Sequence, residues 1–161
     1  MSERARIFTV TGNDVVTLTL AAGEPEVLLR GAGARCVAID PRDPDRVYVG
    51  TFDRGVYASE DSGATWRQDE QGLADRRVMS VAVSPSHHER GVSVVYAGTE
   101  PSNLYRSEDG GYSWQRLPAL RKLASEPSWS FPPGPGRITC ARSRFTRPPP
   151  TGWRSGSSWA A

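Results

Sequence analysis

Ser59-Glu60-Asp61-Ser62-Gly63-Ala64-Thr65-Trp66 and Ser107-Glu108-Asp109-Gly110-Gly111-Tyr112-Ser113-Trp114 are two versions of one phrase, Ser-x-Asp-x-Gly-x-Ser/Thr-Trp. The spacing reads as a hairpin corner. An Asp carboxylate accepts backbone N–H bonds across a short loop, as in an Asx-turn. The Gly takes a φ that other residues avoid. The Ser/Thr hydroxyl bonds locally, and the Trp lays its ring against the adjoining sheet. Ser59, Asp61, Gly63, Thr65 and Trp66 are the expected structural set of the first corner. Ser107, Asp109, Gly111, Ser113 and Trp114 are that of the second.

The likeness extends outward from the corners. Val37-Ala38-Ile39-Asp40-Pro41 matches Val81-Ala82-Val83-Ser84-Pro85, and Val47-Tyr48-Val49-Gly50-Thr51 matches Val95-Tyr96-Ala97-Gly98-Thr99. Gly55 corresponds to Asn103, and both residue types tolerate positive φ, so a tight turn is expected at each. Val37 to Val81 spans 44 residues and Trp66 to Trp114 spans 48, which puts a four-residue insertion around His87-His88-Glu89-Arg90. A partial earlier copy runs from Ile7-Phe8-Thr9-Val10 through Gly12-Asn13-Asp14 to Val15–Leu20.

Each full copy holds four short runs rich in β-branched and aromatic residues, at about 35–40, 46–51, 55–59 and 64–68, then 79–84, 93–98, 103–107 and 113–117. A period of about 45 residues with four strands is the pattern of a β-propeller blade. The chain is therefore expected to be all-β: a partial β-propeller of about two and a half four-stranded antiparallel blades. These lie at about 6–30, 35–68 and 79–117, with a connecting loop to 133 and a disordered C-terminal tail.

The two corners and their register resemble the BNR/Asp-box β-propellers, a WD40/YVTN-like repeat class that includes sialidases, sortilin-type receptors and photosystem II assembly factors. The resemblance covers about residues 6–133. It implies that Asp61 and Asp109 are structural and lie on a hairpin away from the ligand face. It implies first a non-enzymatic binding or scaffold module with a protein or carbohydrate partner. The alternative is a fragment of an exo-acting, sialidase-like glycoside hydrolase, and the second alternative is a truncated gene product without a function of its own. A sialidase needs an arginine triad, a Tyr–Glu pair and usually an Arg-Ile-Pro opening. Arg6-Ile7-Phe8 lacks the proline, so activity of this chain alone is not expected.

Other residues support little chemistry. Paired carboxylates serve glycoside hydrolysis, but a fold motif is not a site, and the structural reading of Asp61 and Asp109 takes precedence. His87 and His88 are adjacent without a third ligand, so a solvated loop is expected rather than a metal site. Cys36 falls in a strand and is expected to be buried and inert. Two cysteines, Cys36 and Cys140, make no disulfide framework. Trp129 and Phe131 suit either a binding face or the packing of a long connection. No cofactor or metal is expected. Nor is a membrane partner, since no apolar run approaches ~20 residues. A cytoplasmic location follows from the cysteine usage and the lack of a signal peptide.

The formal charge of +2 is unevenly distributed. Residues 1–126 hold 15 basic and 18 acidic side chains, a balance of −3, whereas 127–161 hold five arginines and no acid. With one Lys against 19 Arg, the skew reads as codon composition rather than a nucleic-acid arm, so no specific nucleic-acid binding is expected. The 134–161 tail also reads as a frameshift product. Shifted by one base, codons over Ser143, Phe145, Trp153 and Ser155 yield apolar residues spaced as Val37, Ile39, Val47 and Val49. The propeller is accordingly expected to be interrupted.

Overall fold

The computed structural model describes residues 6–19, 23–69, 71–89 and 91–124. The tail 134–161, Trp129, Phe131 and Cys140 lie outside the described residues. Three antiparallel sheets follow one another along the chain. The first has three strands, β1 (Arg6–Thr11), β2 (Asp14–Thr19) and β3 (Pro25–Leu29). The second has four: β4 (Ala34–Ile39), β5 (Val47–Thr51), β6 (Val56–Ser59) and β7 (Arg67–Asp69). The third repeats it as β8 (Arg77–Glu89), β9 (Val92–Glu100), β10 (Asn103–Ser107) and β11 (Gln115–Arg116). A 3-10 turn at Pro118–Lys122 ends the described chain. Strand order is sequential in every sheet, so the chain is all-β and forms a partial propeller.

The sheets pack face to face through small and β-branched residues, which suit a half-buried pleated surface. Val15, Ala34 and Val49 join the first sheet to the second, with Val10, Tyr57 and Trp66 around them. Tyr48, Val56 and Ala58 of the second sheet meet Val78, Val81 and Val83 of the third in a larger cluster. β1 lies against β4 as β5 lies against β8. The turn Gly12–Asn13 lies beside the link into β4, where Ala34 N–H donates to Asn13 O at 3.2 Å. Among the described residues the first sheet therefore corresponds to strands two to four of the later sheets, without an innermost strand.

Because consecutive strands are antiparallel, connections fall alternately at two ends. One end collects the β4–β5 connection, both Ser-x-Asp corners and the β8–β9 hairpin. Ser62 N–H donates to Asp45 O there at 2.8 Å. The other end collects the β5–β6, β7–β8 and β9–β10 connections, where Gly55 N–H donates to Arg76 O at 2.9 Å.

Three expectations change. His87, His88 and Glu89 are not loop: β8 continues through them, and His88 pairs with Ser93. The inserted residues lengthen a hairpin, and their exposure on both faces removes the alternation that marks a strand. Asn103 does not adopt positive φ, although Gly55 does, at +76°. The turn falls instead on Pro101 and Ser102, and the Asn103 side chain is buried in hydrogen bonds. The last strand of each full sheet is shorter than expected, because the corners hold residues 60–66 and 108–114 out of the ladder. Cys36 lies buried in β4, as expected.

Candidate functional site

The two corners are built alike. In the first, Asp61 Oδ1 accepts from Thr65 N–H at 2.8 Å and from Ser59 Oγ at 2.8 Å, while Asp61 Oδ2 accepts from Thr65 Oγ1 at 2.6 Å. Ser59 Oγ in turn accepts from Gly63 N–H at 2.8 Å. In the second, Asp109 takes the same bonds from Ser113 N–H at 2.9 Å, from Ser113 Oγ and from Ser107 Oγ at 2.8 Å. Gly111 N–H donates to Ser107 Oγ at 2.8 Å. Gly63 and Gly111 take φ of +90° and +88°, closed to other residues. Trp114 is buried against the blade, whereas Trp66 is half-buried.

Hydrogen bonding tunes both carboxylates. The Thr65 hydroxyl, then the Thr65 amide and the Ser59 hydroxyl, bring Asp61 down to about 2. Burial pushes Asp109 up, but the bonds from Ser113 and Ser107 outweigh it and the net direction is down. Charged forms that accept several donors are favoured in this way. Both oxygens of each Asp are engaged within its own loop.

The histidines do not converge on an ion. His88 Nδ1 lies 2.8 Å from Arg42 Nη1, while His87 Nδ1 lies 3.3 Å from Ser84 Oγ.

At the opposite end of the sheets a cleft of about 810 Å³ opens between the second and third blades. Phe52, Asp53, Asp75, Arg77, Glu100 and Arg121 line it. Phe52 leaves the end of β5, and the guanidiniums of Arg35 and Arg77 lie over its ring at 4.9 and 4.7 Å. Such cation–π contacts hold the ring where two blades meet. Arg77 Nη1 also pairs with Glu100 Oε2 at 3.3 Å.

Asp75 is the most organised group in the cleft. Its Oδ2 accepts from Tyr105 Oη at 2.7 Å, from Asn103 Nδ2 at 2.7 Å and from Thr99 Oγ1 at 3.5 Å. Arg121 Nε donates to Asn103 Oδ1 at 3.3 Å, so the 3-10 turn is tied to the same network. Burial, and then the bond to Asp75, push the Tyr105 phenol up. Tyr105 is 1% exposed, so the hydroxyl of this Tyr–carboxylate pair does not reach the cleft as a nucleophile would.

Sequence reasoning singled out none of these residues. It held that a sialidase needs an arginine triad and did not expect this chain to supply one; the structure brings Arg76, Arg77 and Arg121 to one cleft. Phe52-Asp53-Arg54 and Glu100-Pro101-Ser102 do not match between the two copies, as the insertion around His87–Arg90 does not. The available signal was that departure from the repeat, at the end away from the corners.

No family model matches the sequence, and no curated protein matches it. Among solved structures, an ancestral GH74 enzyme matches 67% of this chain at 20% identity with a TM-score of 0.48. The GH74 xyloglucanase from Xanthomonas campestris matches 65% at 24% identity with a TM-score of 0.46. The chain spans only 15% and 19% of the lengths of those two enzymes.

Proposed function

We propose that the cleft between the second and third blades is a carbohydrate-binding face, and that this chain forms one wall of a glycoside-hydrolase-type propeller. The observation that carries the reading is the cleft itself, with Asp53, Asp75 and Glu100 beside an aromatic ring and three arginines. Sugars are bound by a few fixed polar groups and an apolar surface in a concave site. Asp75, immobilised through Oδ2, suits the fixed acceptor. Its three donors also argue for holding a hydroxyl rather than exchanging a proton, so this chain binds without turnover. The same proposal takes the two corners as Asp-boxes of the BNR type, supported by their shared spacing and matching hydrogen bonds.

The test is calorimetric titration of the 161-residue chain with a xyloglucan oligosaccharide and with 3′-sialyllactose, with product chromatography alongside. Binding of at least one sugar near ~1 mM is expected, weakened about tenfold in Glu100→Gln and Asp75→Asn, with no hydrolysis. Undetectable binding of both sugars, or binding unaffected by both variants, overturns the reading.

A further inference from the structure

The third sheet carries two polar residues where the second has glycine. Ala34 and Val78 occupy matching places, since each pairs with a Thr across its hairpin, Thr51 and Thr99. Three residues before them stand Gly31 in the second repeat and Asp75 in the third. Four residues after the threonines stand Gly55 and Asn103. The turn closes alike in both sheets. Thr51 Oγ1 donates to Gly55 O at 2.8 Å, and Thr99 Oγ1 donates to Asn103 O at 3.4 Å. The second sheet thus forms with no side chain at either place, so Asp75 and Asn103 are an addition to the frame rather than a part of it.

The addition links two groups of the cleft. Asn103 is 6% exposed, whereas Asp75 and Arg121 line the cleft. The Asn103 amide uses its donor end on the acid and its acceptor end on the base. Nδ2 donates to Asp75 Oδ2 at 2.7 Å, and Oδ1 accepts from Arg121 Nε at 3.3 Å. These partners allow one orientation of the amide, because a carboxylate does not donate and a guanidinium does not accept. Asp75 Oδ2 also accepts from Tyr105 and Thr99, while Oδ1 takes no hydrogen bond from a described residue. A buried amide is costly unless both ends are matched, and here the match is to the two charged groups on either side of it.

We infer that Asn103 is the positioning residue of the cleft: it holds Asp75 and Arg121 one amide apart, as an acceptor beside a donor, and the pair reads two neighbouring hydroxyls of a sugar ring. This rests on the carbohydrate reading of the cleft and narrows it to a vicinal diol. One hydroxyl donates to Asp75 Oδ1, and its neighbour accepts from the Arg121 guanidinium. Fixing both groups before the ligand arrives lowers the ordering cost of binding.

The experiment titrates the 161-residue chain with a xyloglucan oligosaccharide and with 3′-sialyllactose, at about pH 4.5 and about pH 8, on either side of most carboxyl and imidazole titration. Asn103→Gly installs the residue of the earlier repeat. It should still unfold cooperatively and bind about tenfold more weakly at both pH values. Asn103→Asp is the sharper readout. With one proton between them, the new carboxyl and Asp75 restore the lost bond, and the remaining oxygen still accepts from Arg121. Without that proton two carboxylates face each other, which raises the upper titration of the pair. Asn103→Asp should therefore bind within about threefold of the parent in acid and about tenfold more weakly at the higher pH. A merely structural loss would not be restored by acid. The same sugars, after periodate cleavage of their vicinal diols and borohydride reduction, should bind the parent and Asn103→Gly equally. Parent-like binding by Asn103→Gly, no recovery of Asn103→Asp in acid, or cleaved sugars that still distinguish the parent from Asn103→Gly overturns the inference and leaves the carbohydrate reading standing. A parent that binds neither intact sugar overturns the carbohydrate reading, and this inference falls with it.

Discussion

Ser93 Oγ donates to Asp40 Oδ1 at 2.9 Å, and both residues are buried where the second blade meets the third. The same oxygen accepts from Arg42 N–H at 2.9 Å, so one carboxylate both ends β4 and ties two sheets together. Removing an acceptor from buried donors costs about 1–3 kcal/mol. Asp40→Ala is expected to lose that much in a urea melt, and Ser93→Ala about half of it. Identical stability of Asp40→Ala and the parent would show that the tie contributes nothing.

The corner carboxylates set an acid limit. Asp61 stands at about 2 against an ordinary 3.8, mainly through the Thr65 hydroxyl. A depressed folded value means stability that is present above pH ~4 and lost as pH falls toward ~2. Melting temperature should decline across that window, and Asp61→Asn should flatten the decline. A parallel acid profile for the variant would contradict the assignment.

Gly72 leaves no room for a side chain. Its φ is +85°, and a Cβ would overlap the carbonyl of Trp114. Gly12 also has positive φ, +62°, but nothing within 4 Å of a Cβ. Gly12→Ala should cost about 1 kcal/mol through backbone conformation alone. Gly72→Ala should cost clearly more, because the strand-to-corner bond from Trp114 N–H to Gln71 O at 2.9 Å is displaced as well. Equal losses in parallel denaturant melts would refute this.

Arg67 joins the corners of neighbouring sheets. Its guanidinium lies 3.5 Å from the centroid of the Tyr112 ring and donates to Gly110 O at 2.5 Å. Arg67→Lys retains the charge but loses the planar contact. It should destabilise by about 1 kcal/mol in a urea melt and increase amide exchange at residues 110–112. Unchanged exchange there would remove the link.

Much of this architecture was legible in the sequence, for definite reasons. Val47-Tyr48-Val49-Gly50-Thr51 and its later image are short β-branched runs, and the duplicated corner fixes where each sheet turns. The bonds that Asp61 and Asp109 make are local and follow from spacing. The cleft was not legible, because Asp53 and Asp75 from connections, Glu100 from the end of β9 and Arg121 from the 3-10 turn meet only once the blades pack. The continuation of β8 through His87 and His88 escaped for another reason: polar residues exposed on both faces carry no alternation. At Asn103, residue type suggested a turn, but the buried bond to Asp75 decided the conformation.

The two ends of the blades carry separate duties. The Asp bonds of each corner close within its own loop, while Ser62 also holds Asp45 and Trp114 holds Gln71; the Asp75 network and the Arg77–Glu100 pair lie at the other end of the strands. A lineage built on this repeat can exchange the segments 52–54, 74–77 and 100–102 as a set, acquiring new ligands on an inherited frame. A protein engineer can graft loops at those three places for the same reason.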